Sequence, residues 1–382
     1  MYKLLITFVR TLFPHKSRKM KSIKDLGKSW VNPDNLPPTL VSAHKRILFV
    51  LKDRTQQLEY SQSYGLHNSA TMVAEYLETF GNCTKVVTVI DANFIDAQVF
   101  AFKPDIVVIE ALWVTGKKLE ELVGLRRYKN IQWVVRVHSN VGFLSVESRA
   151  YKYIHEYIDL NRKNVIISFN NKNFNDKMTS ICKYGFTYLP NIIKTDHKAA
   201  VNHDKVYTDE VLNIGCFGSP RVLKNQLFQA TCAILAADKM DKRIHFHING
   251  DIHNPCNPVL NNIRELFEMS KHKLTVHGWL SHDKFERLIN KMDLGLQISF
   301  TESFNIVVAD FVVNDVPILV GKSIEWMPDI AHASTTDFDD LVDKIIFIVQ
   351  NKRARKLLVE LGNHNLLKFN SDAKKTWKLF LK

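Results

Sequence analysis

The chain has 382 residues, 46% of them hydrophobic and 10% aromatic, enough for two packed cores and incompatible with a disordered or fibrous protein. Its net charge of +13 points to a polyanionic neighbour such as a nucleic acid, an anionic bilayer or a phosphorylated glycan, without choosing among them. Five scattered cysteines, none in a C-x-x-C pair, argue against a disulfide framework and a zinc site and suit a reducing cytoplasm.

Read as a helix, residues 1–13 place Lys3, Thr7, Arg10 and Thr11 on one side and apolar residues around the rest. The run is too short to span a bilayer, Arg10 interrupts any signal-peptide core, and no small-residue cleavage site follows. Two readings stay open: a peripheral contact of residues 1–20 with the inner membrane surface, or a helix packed on the protein's own surface. Residues 1–44 as a whole read as a basic extension.

The first lobe is expected over 45–194. It opens with the apolar run Arg46–Leu51 and continues through a helix over 69–80 and strands over 85–90, 105–110, 133–138 and 165–168. Strands alternating with helical stretches predict a doubly wound parallel sheet. Tyr64-Gly65-Leu66 is a candidate acceptor-side loop. His138 closes an apolar strand and precedes the loop-like Ser139-Asn140-Val141-Gly142 at the cleft-facing end of this lobe. The alternative for it is a histidine satisfied by neighbouring backbone. A polar linker is expected over 195–210, and a second lobe over 211–370.

Residues 211–226 read as strand, glycine turn and helix start. Gly215 and Gly218 let the backbone come close to a ligand, with Ser219 in the same turn, and amides at the following helix N-terminus favour a phosphate. Lys224, with Arg221 nearby, offers cations to a diphosphate. Alone, this pattern also fits an ordinary strand-to-helix connection. Further on, 244–250 and 274–280 read as strands. His245 and His247 share a strand face, with His253 beyond, and without carboxylate or thiol companions packing is their expected role.

The phrase over 292–299 forms a strand that delivers Glu302 to its carboxyl end, where ligands bind in open parallel sheets. Seven residues separate Glu302 from Asp310. If Glu302 lies in the loop opening a helix, Asp310 is displaced ~12 Å along the axis, and one carboxylate grips a sugar while the other holds a ribose. The same spacing fits an exposed acidic pair on an amphipathic helix. Asp337-Phe338-Asp339 spells a metal-binding D-x-D, yet it stands at a helix start, where acidic residues complement the dipole, so no metal is expected.

The stretch from Glu302 to Pro317 resembles the acidic signature of retaining GT-B glycosyltransferases, the group that includes glycogen synthase, sucrose synthase and many bacterial mannosyl- and glucosyltransferases. Their pattern is roughly E-G-F-G-x-x-x-x-E-A-x-A-x-G-x-P. Phe304 and Pro317 stay in register; Ser303 and Asn305 stand at the two glycines, Asp310 at the second glutamate, and Asp315 at the glycine before the proline. Upstream, the family's V-G-R-L-x-x-x-K-G finds its lysine at Lys224, while Ser219 holds the arginine position and Arg221 follows two residues later.

The resemblance implies an α/β protein of GT-B architecture, two Rossmann-like doubly wound parallel-sheet lobes facing across a cleft, with a last helix, 371–382, crossing back to the first lobe. It implies metal-independent, retaining sugar transfer from a nucleotide-diphosphate sugar, UDP- or GDP-linked, with no cofactor. Lys224 and Arg221 would then meet the leaving diphosphate, Glu302 the sugar, Asp310 the ribose, and His138 the donor sugar near the reacting carbon. Gly215, Gly218, Ser219, Ser303, Phe304 and Asn305 would surround the donor. The acceptor stays open between a cell-envelope glycan or lipid-linked saccharide and DNA, as in phage enzymes that glycosylate modified bases. A non-catalytic GT-B relative that binds a polyanion or a partner protein, and a nucleotide-sugar epimerase of the same architecture, also fit these residues.

Overall fold

The computed structural model describes residues 44–53, 64–195, 211–250 and 257–382. The amphipathic start, nearly all of the 195–210 linker, His253 and Cys256 lie outside these residues.

Two parallel sheets of six strands each form the architecture. The first contains β1 (Arg46–Lys52), β2 (Cys83–Val89), β3 (Ile106–Glu110), β4 (Gln132–Val137), β5 (Val165–Phe169) and β6 (Thr187–Tyr188), in the order β2-β1-β3-β4-β5-β6. Helices α1 (Tyr64–Glu78), α2 (Ile95–Phe102), α3 (Gly116–Gly124), α4 (Val141–Leu144), α5 (Ala150–Asp159) and α6 (Lys172–Cys182) belong to this lobe. The second sheet contains β7 (Val211–Cys216), β8 (Arg243–Asn249), β9 (Lys273–His277), β10 (Leu294–Gln297), β11 (Ile318–Gly321) and β12 (His332–Ala333), in the order β12-β11-β10-β7-β8-β9. With it come α7 (Gln226–Lys239), α8 (Pro258–Glu268), α9 (His282–Ile289), α10 (Ile306–Val313), α11 (Phe338–Gln350) and the long α12 (Lys352–Leu381). Among the described residues no helix is long and apolar enough to cross a membrane.

Helices on both faces bury the central strands, which is why β3 and β10 are buried at every position and read as near-continuous apolar runs, while the edge strands β2 and β9 are largely half-buried or exposed. Helix starts are set by side-chain caps. Asn171, Asn257, Asn305, Asp337 and Asn351 each accept the N–H three residues on, satisfying a donor that the first turn leaves open. The D-x-D lookalike is therefore the N-cap of α11. The helix expected over 69–80 runs over 64–78 instead. Gly81 takes φ +81° and its N–H returns to the Glu78 carbonyl at 2.9 Å, closing the helix before Phe80.

The last helix differs most from expectation, because position 371 falls inside a single 30-residue helix that begins at Lys352 and is about 45 Å long. Its buried residues include Leu358, Gly362, Leu366, Asn370, Ala373, Trp377 and Leu381, a stripe recurring every three or four positions without a break. What changes along the stripe is the neighbour. Leu358 and Leu366 join the core of the second sheet, whereas Ala373, Trp377 and Leu381 pack with Ile47, Phe49 and Val108 of the first. Asn370 marks the crossing, donating to the Ile193 carbonyl at 2.8 Å and accepting the Ile193 N–H at 3.0 Å.

Gly321 at the end of β11 packs directly against backbone in the sheet behind the cleft. A Cβ there would lie 2.6 Å from the Ser299 carbonyl oxygen, which is backbone and has no rotamer to yield. Gly321→Ala is expected to lower stability by about 1–3 kcal/mol, read as a shifted urea midpoint. An unchanged midpoint would mean that the Ser299 backbone yields freely at this point.

Candidate active site

Strand order reverses between β1 and β3 in the first sheet and between β7 and β10 in the second. Such switch points leave a crevice at the carboxyl ends of the strands. Two cavities open there, each lined from both lobes and both touching Leu66. The smaller, about 200 Å³, is lined by His138, Asn140, Phe143 and Glu147 of the first lobe and by Arg221, Lys224, Glu302 and Ser303 of the second. The larger, about 520 Å³, has Lys52, Asp53 and His67 on one side and Gly218, Asn249, Trp279 and Asp310 on the other.

Lys224 Nζ donates to Glu302 Oε1 at 2.5 Å, with the two side chains only 14% and 11% exposed. Lys224 ends a short 3₁₀ turn over 222–224, held by Gln229 Nε2 donating to its carbonyl at 2.7 Å and by the Phe300 N–H donating to the Leu223 carbonyl at 3.0 Å. Arg221 lies over the Phe143 ring, 4.9 Å from its centroid, and so reaches across to the first lobe. From the other direction, Asn140 Nδ2 donates to the Glu302 carbonyl at 3.1 Å, and Asn171 Nδ2 to the Ser303 carbonyl at 3.1 Å. The loop carrying Glu302 is gripped by both lobes.

His138 faces this cavity with both ring nitrogens engaged: Nε2 bonds Glu110 Oε2, and Nδ1 lies 3.3 Å from Asn170 Nδ2. Glu110 also accepts from Arg136 Nη1 at 3.0 Å, and both of these side chains are fully buried. Burial alone would raise the Glu110 carboxyl, but Arg136 and then His138 outweigh it and hold the group below its ordinary value. Burial lowers the His138 imidazole below its ordinary value, against the pull of Glu110. Sequence reading missed Glu110, Arg136, Asn170 and Asn171. The signal was present for two of them, since Glu110 and Arg136 are charges interrupting otherwise apolar strands, and the register β3–β4 sets them side by side.

The sequence matches no family model and no curated protein. Similarity lies in the fold. A glycosyltransferase from Rickettsia africae aligns over 89% of this chain and 98% of its own, with a TM-score of 0.64 at 13% identity. Sucrose-phosphate synthase from Thermosynechococcus elongatus aligns over 88% of this chain and 98% of its own, with a TM-score of 0.66 at 11% identity. Anabaena HepE, solved in complex with UDP and glucose, aligns over 88% and 100%, with a TM-score of 0.60 at 13% identity. The chain has the GT-B fold.

Against the GT-B pattern, three glycine positions hold Asn or Asp, and all three adopt positive φ: Asn225 at 56°, Asn305 at 68° and Asp315 at 55°. These residue types tolerate that region best after glycine, so the backbone bends are kept. Each replacement adds a side-chain bond that glycine lacks. Asn225 Nδ2 donates to the Thr335 carbonyl at 2.8 Å, Asn305 Nδ2 to Gln297 Oε1 at 2.9 Å, and Asp315 Oδ1 accepts from Asn363 Nδ2 at 2.5 Å. Ser303, at the remaining glycine, needs no such bend, and its hydroxyl lies 3.3 Å from Asn170 Nδ2.

Several expected donor contacts instead build the site from behind. Gly215 lies within β7, where a Cβ would come 2.6 Å from the Phe217 ring and 3.0 Å from Phe311, so its missing side chain serves packing. Phe304 is 2% exposed and packs between Trp326 and Phe369. Asn305 is buried as the cap of α10. Gly218, at φ +113°, lines the larger cavity with its N–H on Asn249 Oδ1, while Ser219 after it lines neither. His245 and His247 pack as expected: His247 Nδ1 lies 2.9 Å from His277 Nε2, and burial with two neighbouring imidazoles pushes it down to about 3.

Glu302 lies in the loop before α10 and Asp310 within that helix, as the spacing anticipates, and the two carboxylates line different cavities. Burial, assisted by Glu286, raises the Asp310 carboxyl well above its ordinary 3.8. The folded state therefore holds this proton more tightly than the unfolded chain, and its contribution to stability is full below 3.8 and is lost as pH rises through the higher folded value. Asp310→Asn is expected to remove that fall, so that denaturation midpoints of the two proteins diverge with rising pH in favour of the variant. Parallel midpoints would show that Asp310 is no better protonated in the fold than outside it.

Proposed function

We propose that this chain is a metal-independent, retaining glycosyltransferase that takes its sugar from a nucleotide-diphosphate donor. The observation that carries the reading is the Lys224–Glu302 pair, flanked by Arg221, on a cavity between two sheets whose carboxyl ends meet. The adjoining 520 Å³ cavity has room for the nucleoside, with Asp310 on its wall to meet the ribose. The diphosphate then extends toward Lys224 and Arg221. When its oxygens engage Lys224, the lysine exchanges one anion for another, and Glu302 is released to hold the sugar hydroxyls. Departure of the nucleoside diphosphate leaves an oxocarbenium-like centre, the acceptor oxygen bonds to that carbon, and the acceptor proton passes to the departing diphosphate.

The UDP and glucose in the HepE structure favour a uridine donor. The net charge of +13 favours an acceptor that is polyanionic or lies at an anionic membrane, an envelope glycan or lipid-linked saccharide in one case and DNA in the other. Incubating the protein with UDP- and GDP-linked sugars in the presence of a chelator tests the donor half. Release of nucleoside diphosphate supports it, and a panel with no release would remove it. Vesicle co-sedimentation that depends on residues 1–20 identifies the membrane acceptor, and salt-sensitive retention on DNA the other.

A further inference from the structure

We propose that Glu110 is the positioning residue of the cleft: it fixes the tautomer of His138, and through His138 and Asn170 it sets the loop that carries Glu302. The proposal rests on the functional reading above only for its kinetic arm.

A carboxylate and a guanidinium with no exposure are costly, and replacing such a pair with apolar side chains is often neutral or stabilising, so its presence at the buried ends of two central strands calls for another role. The geometry supplies one. Arg136 is itself fixed at every arm, donating to the carbonyls of Leu189 at 3.0 Å and Pro190 at 2.9 Å and to Asn191 Oδ1 at 2.6 Å as well as to Glu110. Glu110 therefore presents its second oxygen to His138 from a rigid base.

A carboxylate only accepts, so a neutral imidazole in this place carries its proton on Nε2 and leaves Nδ1 as an acceptor. That choice propagates. With Nδ1 accepting, Asn170 must turn its NH₂ toward the ring, and the same nitrogen lies 3.3 Å from Ser303 Oγ in the second lobe. Asn170 is 3% exposed and its Oδ1 has no hydrogen-bond partner among the described residues, so the amide is oriented by His138 and Ser303 and not by its own carbonyl. Ser303 adjoins Glu302, whose backbone carbonyl Asn140 also holds. One proton location in the first lobe thus selects the orientation of an amide that grips the acidic loop of the second.

The test is a long-range proton–nitrogen spectrum of the full chain labelled with ¹⁵N-histidine, with His138→Gln identifying the resonance. The expected result is a single neutral Nε2–H tautomer for His138 in the wild type and a mixture of tautomers in Glu110→Gln, because a carboxamide both donates and accepts. Nucleoside diphosphate release is expected to fall on the order of tenfold in kcat for Glu110→Gln at nearly unchanged donor KM, the size usual when a group that orients a functional side chain is lost. Asn170→Ala removes the Nδ1 partner without stranding a buried charge. It is expected to keep the tautomer and reproduce the kcat loss, which covers the case in which Glu110→Gln does not fold. An Nδ1–H or mixed His138 in the wild type overturns the proposal whatever the activity, as does an unchanged kcat in a folded Asn170→Ala. Failure of the functional reading alone appears differently, as the expected wild-type tautomer in a protein that hydrolyses no donor.

Discussion

Alanine at Glu302 or at Lys224 is expected to lower nucleoside diphosphate release by about 10²–10³-fold, the loss usual when one preorganised electrostatic group is taken from a transition state. The two variants should lose activity in different ways. Lys224→Ala removes the cation that meets the leaving diphosphate, so both kcat and donor affinity fall. Glu302→Ala frees Lys224 from its 2.5 Å partner, so donor binding is kept or tightened while kcat collapses. Because the side chains touch, the double variant should fall short of the product of the single losses. Steady-state kinetics on all three proteins, with thermal unfolding as the control for fold, decides the matter. Wild-type turnover in either single variant would end the assignment of this pair to the reaction.

The largest stability effect is expected at Trp377, whose truncation to alanine should cost about 3–5 kcal/mol in urea unfolding. Its side chain is fully buried in the part of α12 that reaches the first sheet, 6.4 Å from the Phe49 ring and 5.9 Å from Phe380. Indole Nε1 donates to the Pro190 carbonyl at 2.9 Å, the same carbonyl that accepts from Arg136, whose guanidinium lies 5.5 Å from the ring centroid. Truncation therefore leaves a cavity and loosens the base on which Glu110 stands. Trp377→Phe separates the two contributions, since it keeps an aromatic ring and deletes only the donor. A loss below ~1 kcal/mol for alanine would mean that the helix end is docked on the core without being part of it.

Much of the cleft was legible in the chain. The apolar runs 46–51 and 105–110 and the acidic motif lie where period and punctuation place them, and His138, Arg221, Lys224, Glu302 and Ser303 do line one cavity. Gly215 and Phe304 misled because a glycine or an aromatic near a motif looks the same whether it faces a ligand or the core behind it. Both lie behind the site, and the packing of Phe311 and Trp326 against them decides this. Glu110 and Arg136 were visible as charges within strands, but their meaning depends on the register between two strands 26 residues apart.

By itself, the sequence determined two parallel sheets, the turns that end their strands and the residue types gathered at those ends, because side-chain period and backbone preference act between chain neighbours. The tertiary structure alone decided that Lys224 pairs with a carboxylate 78 positions away, that burial beside Glu286 raises the Asp310 carboxyl, and that His138 sits between Glu110 and Asn170. Desolvation and Coulomb attraction depend on distance and burial in space, and neither is written in the order of residues along a chain.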